Sequence, residues 1–195
     1  MMMPRIHILP LCLILLLWAL PASAQTVREI DRLLDAWQMP QAKAAIAAFE
    51  AERPESADVQ YLRGRLAFFE GRYDEAVQRL DQALNQQSRS DWKELRDLAA
   101  ATGEVTAKHE VHTSPKGYFQ VSIEPGKDRV LLPYAFEALD EAYEAFAAEL
   151  GYRPPTPIRL EVYDRTSVLA KVSILTEEEI RTSGTIALCK YNRLM

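Results

Sequence analysis

Gly64-Arg65-Leu66-Ala67-Phe68-Phe69-Glu70-Gly71-Arg72-Tyr73-Asp74-Glu75-Ala76-Val77-Gln78-Arg79-Leu80-Asp81-Gln82-Ala83 carries its small and large residues in the order that two closely packed antiparallel helices require. Gly64 and Ala76 are small enough to let the two backbones approach, and Tyr73 and Leu80 fill the space between neighbouring helix pairs. Ser56 opens the first of these helices and Gly71 closes it. Shifting the chain by 34 residues brings Ala42 onto Ala76, Ile46 onto Leu80, Phe49 onto Ala83 and Pro54 onto Ser88, so the pattern is an internal repeat.

That period and that set of positions resemble the tetratricopeptide repeat. The packing signature consists of Ala42, Ile46 and Pro54 in the first copy, and of Gly64, Gly71, Tyr73, Ala76, Leu80 and Ala83 in the second. Gln60 and Arg63 depart from it, standing where the repeat commonly has Trp and Leu, and Tyr61 and Leu62 beside them supply the bulk. The first copy lacks both glycines. Thr26 with Glu29 forms a capping box, and Pro40 suits a first helical turn. A fifth helix, about Asp91 to Ala101 with Trp92, Leu95, Leu98 and Ala99 on one face, caps the stack. So short a stack has to lean on the C-terminal half of the chain. The resemblance implies a docking surface for a protein or peptide partner, although two repeats offer little concave area.

Upstream, Arg5 precedes an apolar run from Ile8 to Leu20, then Pro21 and Ala22-Ser23-Ala24. This order predicts a cleavable signal peptide over residues 1–24, cut before Gln25. The 13-residue run is shorter than the ~20 apolar residues that span a bilayer, so no stable membrane anchor is expected after cleavage. Leu11 stands before Cys12 where a lipid-attachment cysteine needs a small residue, which argues against a lipoprotein. Removing 24 of the 195 residues leaves 171, and since Arg5 leaves with them, 22 bases stand against 28 acids. That excess, with no run of Lys and Arg anywhere, excludes a nucleic-acid partner. Cys189 is then the single cysteine, with no internal disulfide open to it, and it is expected reduced and buried.

Downstream the pattern changes. Residues 102–114 are polar and unpatterned and read as a linker. Tyr118 to Glu124 then alternates apolar and polar residues as a half-buried strand does. A long helix from Asp128 comes next, with Leu132, Ala135, Phe136, Leu139, Ala142, Tyr143, Phe146 and Leu150 as its apolar stripe and Gly151 as its stop. Glu137, Asp140, Glu141, Glu144 and Glu149 lie off that stripe and read as a solvated face. Ile158 to Tyr163 alternates again, after Pro154, Pro155 and Pro157. A short helix near Arg165 to Lys171 and a capped turn at Thr176 to Glu179 succeed it. Thr185-Ile186-Ala187-Leu188-Cys189 reads as a third strand, Lys190 to Arg193 as a turn, and Leu194-Met195 as the start of a returning strand. A hairpin interrupted in its return strand reads as a fragment, in which Val121, Ile158, Val162 and Ile186 are left without cover.

This order of elements, with Leu150-Gly151-Tyr152 and the segment from Gly184 to Leu194, is similar to the opening of a gluzincin domain. More narrowly it resembles the peptidase MA-like metallohydrolases that bacteria couple to tetratricopeptide repeats behind a signal peptide. The resemblance implies a zinc peptidase whose HExxH motif lies a few tens of residues beyond Met195. The two histidines of that motif bind zinc and its Glu serves as general base. It also implies that the edge strand before the motif helix pairs with extended substrate, a role that falls on Thr185, Ile186, Ala187 and Leu188. Zinc is expected in a full-length relative and no cofactor in this chain.

His109-Glu110-Val111-His112 mimics the motif only superficially. Its histidines are three apart where a helical zinc pair needs four, and it lies in the linker. Gly126-Lys127 lacks the remaining residues of a phosphate loop. No Ser-His-Asp or Cys-His set can be assembled, so no catalytic or metal-binding residue is assigned.

The expected architecture is an array of helical hairpins over residues 25–102, a linker over 103–117, and an incomplete α+β gluzincin-like subdomain over 118–195. The expected protein is exported, periplasmic or secreted, and is the N-terminal part of a zinc metallopeptidase. The alternative is a non-enzymatic exported adaptor for protein–protein interaction.

Overall fold

The structure, a computed structural model, describes residues 26–195. Residues 1–24, read from sequence as a signal peptide, lie outside the described residues. Five helices come first: α1 (Val27–Asp35), α2 (Met39–Glu52), α3 (Ala57–Phe69), α4 (Tyr73–Gln86) and α5 (Ser90–Thr106). Thr26 caps α1 through the reciprocal bonds of a capping box with Glu29, and Ser56 caps α3 by accepting from the Val59 amide. Helices α2 and α4 are both 14 residues long and start 34 residues apart.

Close helix approach is visible at Gly64. A Cβ there would sit 2.8 Å from Leu80 Cγ and 3.2 Å from the Ala76 carbonyl oxygen. Ile30, Leu34, Ile46, Leu62, Phe68, Leu80 and Trp92 are all fully buried in the one core these helices share.

Beyond the helices lies a five-stranded sheet, built from β1 (Glu110–Thr113), β2 (Phe119–Ile123), β3 (Ile158–Val162), β4 (Cys189–Lys190) and β5 (Arg193–Leu194) in the order β1-β2-β3-β5-β4. Neighbours β2 and β3 run parallel, as do β3 and β5, while β1 and β4 are antiparallel edges. Three helices accompany it: α6 (Leu132–Leu150), entered through a 3-10 turn at Lys127–Leu131, then α7 (Thr166–Val172) and α8 (Glu177–Ser183). The strand alternation sorts the two faces. Val121, Ile123, Leu160 and Val162 pack with Leu132, Phe136 and Leu139 of α6. Across the other face lie the helical array and a smaller core of Leu169, Val172, Ile180 and Met195, against which Val105 of α5 packs. The molecule is thus a mixed helical and α+β structure.

Several sequence expectations are corrected. The region read as linker, 103–117, is not unstructured: α5 runs through to Thr106 and β1 occupies Glu110–Thr113, its polar residues recruited by pairing with β2. Thr185 to Leu188 lie outside any strand, because β4 is confined to Cys189 and Lys190, paired with Leu194 and Arg193. Cys189 is exposed rather than buried. Val121 has its cover, since α6 leaves it 1% exposed, whereas Ile186 is 94% exposed. On α6, Phe146 and Leu150 of the predicted stripe face outward, and Asp140, predicted on the solvated side, is buried.

Candidate functional site

Two features stand where the helical array meets the sheet. The first is a buried polar cluster. Alternation along β3 turns Leu160 toward α6 and sends Arg159 and Glu161 to the array side, where Tyr73 opens α4. Glu161 is ion-paired with Arg193 of β5 at 2.7 Å, and accepts from Arg159 at 2.8 Å, from the Tyr163 hydroxyl at 2.6 Å, and from the Tyr73 hydroxyl. Arg159 also donates to the Phe69 carbonyl at 3.0 Å and to Tyr73 at 2.8 Å, and its guanidinium lies against Gly71 in the left-handed turn between α3 and α4. Any side chain at position 71 would displace it.

Arg193 is buried, and donates to Tyr73 and, at 3.0 Å, to the Val172 carbonyl. Burial pushes the Tyr73 hydroxyl up to about 12, and burial followed by the neighbouring Glu161 charge pushes Tyr163 up further. Both phenols therefore stay protonated at neutral pH. A cluster of neutral phenols and ion-paired guanidinium groups, in which only Arg193 Nε lacks a partner, is suited to joining two layers, not to transferring protons. A cavity of ≈220 Å³ lies beside it, lined by Glu70, Gly71, Gln120, Ser122 and Arg159 among others.

The second feature is the β4–β5 hairpin. Its turn is made by Tyr191 and Asn192, at φ of 56° and 57°, the two left-handed positions that a two-residue hairpin needs. Tyr191 packs edge-on against Phe68 and Phe69, with ring centroids 5.1 and 5.8 Å away. Leu188 and Met195 exchange both backbone bonds at 2.8 Å. Alternation in an antiparallel pair then aims the N–H and C=O of Ala187 and Cys189 away from β5, along the open edge of the sheet. A pocket of ≈290 Å³ opens between this hairpin and the array, lined by Asp35, Trp37, Phe69, Cys189, Lys190 and Tyr191. Partial burial raises the Cys189 thiol above its usual range.

The residues nominated from sequence fall into two groups. Ala42, Ile46, Gly64, Tyr73, Ala76, Leu80 and Ala83 are buried in the array, Gly71 forms the α3–α4 turn, and Pro54 is exposed in the α2–α3 turn. Gln60, flagged as a departure, is buried and accepts from Arg79 at 3.0 Å. Thr185, Ile186, Ala187 and Leu188 form an irregular lead-in to β4, with Ile186 and Ala187 exposed and Leu188 packed against the smaller core. Sequence reasoning missed Arg159, Glu161, Arg193 and Trp37. The charged pair at alternate positions of an otherwise apolar strand was the available signal for the first two.

Zinc does not fit the described residues. His109 and His112 are an odd number of residues apart in extended chain and point to opposite faces, one to Ser122 Oγ at 3.1 Å and the other to Glu110 at 3.1 Å. Among the described residues no group of three or more His, Cys, Asp or Glu side chains is placed to hold a metal ion, and no helix is long and apolar enough to cross a membrane. No protein-family model matches the chain, and no curated protein or solved structure matches it either.

Proposed function

We propose that the chain is the exported, periplasmic or secreted, N-terminal part of a gluzincin-type metallopeptidase, in which a tetratricopeptide-like array is fastened to the sheet that holds an extended peptide. The observation that carries this reading is the open β4 edge, with the backbone groups of Ala187 and Cys189 turned outward beside a pocket. An exposed edge next to side-chain pockets is the arrangement by which sheets recruit extended peptides. On this reading the chain supplies binding and positioning. The zinc ligands belong to residues beyond Met195, and no catalytic step is assigned to any side chain described above.

Reading the coding sequence past the codon for Met195 is the test. An in-frame HExxH within a few tens of codons supports the proposal, and zinc content and peptide hydrolysis are then measured on the longer chain. A stop codon at that point overturns the peptidase reading and leaves an exported adaptor that holds a peptide without cutting it.

A further inference from the structure

We infer that the pocket between α1, α3 and the β4–β5 hairpin is a side-chain subsite for an extended peptide carrying an aromatic residue with an acidic one two positions away. The inference rests on the reading of β4 as a peptide-holding edge, and adds to it that the helical array contributes to specificity. Four non-glycine residues among those described have a left-handed backbone: Trp37, Glu55, Tyr191 and Asn192. Both aromatic ones line this pocket. A bulky side chain at positive φ costs stability that Gly or Asn would not. Trp37 is nevertheless held there, at φ 56°, by the turn that ends α1, where its amide donates to the Leu34 carbonyl and the Gln38 amide to that of Leu33, both at 2.9 Å. Its indole is 42% exposed, so core packing does not account for the strain.

The third aromatic residue of the lining, Phe69, is only 1% exposed, so Trp37 and Tyr191 supply the accessible aromatic surface, and the volume of ≈290 Å³ suits one large side chain rather than a drug-sized ligand. Charge sets the second residue. Asp35 is paired with Arg65 at 2.5 Å, whereas Lys190 has no carboxylate partner among the described residues and rests over the Tyr191 ring at 5.1 Å. The free charge at the pocket is therefore positive. A strand paired to the outward groups of Cys189 passes the pocket directly, and since alternate residues share a face it delivers one side chain into the pocket and the one two positions on toward Lys190, which lines the same face.

The test uses the purified chain and a fluorescein-labelled peptide, Thr-Thr-Phe-Thr-Asp-Thr, in anisotropy titrations. Replacing its Phe by Ala is expected to weaken binding roughly tenfold, the low end for losing apolar groups from a pocket, because Asp35 and Lys190 make this lining partly polar. Trp37→Gly removes the indole while relieving the strained backbone, so it folds, and it is expected to bind the Phe and Ala peptides equally. Lys190→Glu is expected to reverse the preference for Asp over Lys two positions after the Phe. N-methylation of the peptide backbone is expected to abolish binding.

Binding that is sensitive to N-methylation yet indifferent to Phe, Trp37 and Lys190 overturns the subsite and leaves the edge reading standing. Binding that depends on Trp37 but survives N-methylation keeps the pocket and overturns the edge. No binding by any of these peptides overturns both.

Discussion

Arg193, in the last strand of the sheet, donates to the hydroxyl of Tyr73 at the start of α4, 120 residues earlier. Both side chains are buried, and between them sits the Glu161 carboxylate, 3% exposed. The link turns a short helical array, which could not stand on its own buried faces, into one body with the sheet. Charges this deep are stable only because each is paired and hydrogen-bonded.

Removing Arg193 therefore tests the joint. Arg193→Leu leaves Glu161 with Arg159 as its only cation and leaves the Val172 carbonyl without its donor. The expected loss is about 3 kcal/mol in urea unfolding, the low end for breaking a buried pair, because Arg159 remains. Combined with Tyr73→Phe the losses should be non-additive by at least about 0.5 kcal/mol. Additive losses would show that Tyr73 and Arg193 are neighbours without being coupled.

A second test concerns the close approach of α3 and α4. Gly64→Ala places a methyl group 2.8 Å from Leu80 Cγ, which is fully buried, and 3.2 Å from a backbone oxygen that cannot swing aside. Overpacking costs about 1–3 kcal/mol and the better helix propensity of Ala returns up to ~1, so a net loss of about 1–2 kcal/mol is expected. Gly126→Ala is the control. A Cβ there meets nothing within 4 Å, and its φ of 169° suits any residue, so its stability should stay within about 0.5 kcal/mol of the parent.

What was legible in the sequence was what is decided locally. The capping boxes at Thr26 and Thr176 need only a residue three positions on, and both are present. The alternation in Phe119–Ile123 and Ile158–Val162 reads out directly as strands. What was missed is set by distant partners. Strand β1 is polar and becomes a strand only because β2 lies alongside it. Thr185 to Ala187 have strand-like composition but pair with no strand among the described residues, and Thr185 instead donates its amide to the Ile180 carbonyl at the end of α8. The candidate site was half legible: a strand was expected from Thr185 where the structure begins it at Cys189, while the pocket wall at Trp37 comes from another part of the chain.

Acid sensitivity should trace in part to His109. Burial lowers its pKa, and the charges of Glu161 and Glu124 offset this only partly, so the folded chain holds the imidazole neutral beside Ser122 Oγ and the Tyr163 ring. The unfolded chain takes up that proton near pH 6.5 and the folded one only at lower pH. Stability supplied by this group is thus complete above about pH 6.5 and declines as pH falls through the folded pKa, with a slope below the one-proton limit of about 1.4 kcal/mol per pH unit. Urea midpoints between pH 7.5 and 5 should show a shallower decline in His109→Gln than in the parent. Equal slopes would remove His109 from the account.

The last test asks whether the acids of α6 are all alike, as their spacing implied. Asp140 accepts from the Ser114 hydroxyl at 2.7 Å and from the Lys116 amide at 3.1 Å, and Ser114 Oγ in turn accepts from the Phe119 amide at 3.1 Å. One carboxylate thus anchors the loop that sets the register of β1 against β2. Asp140→Ala strands a buried hydroxyl and a backbone donor, and should cost about 1–3 kcal/mol. Glu137→Ala, on the same helix but exposed, should cost no more than about 0.5 kcal/mol. Hydrogen exchange at the Lys116 and Phe119 amides locates the effect. Both should lose protection in Asp140→Ala by more than the global destabilisation accounts for, because their acceptors are removed or loosened. If the two variants were equally stable and both amides stayed protected, the buried position of Asp140 would be incidental and the β1–β2 loop would owe its shape to strand pairing alone.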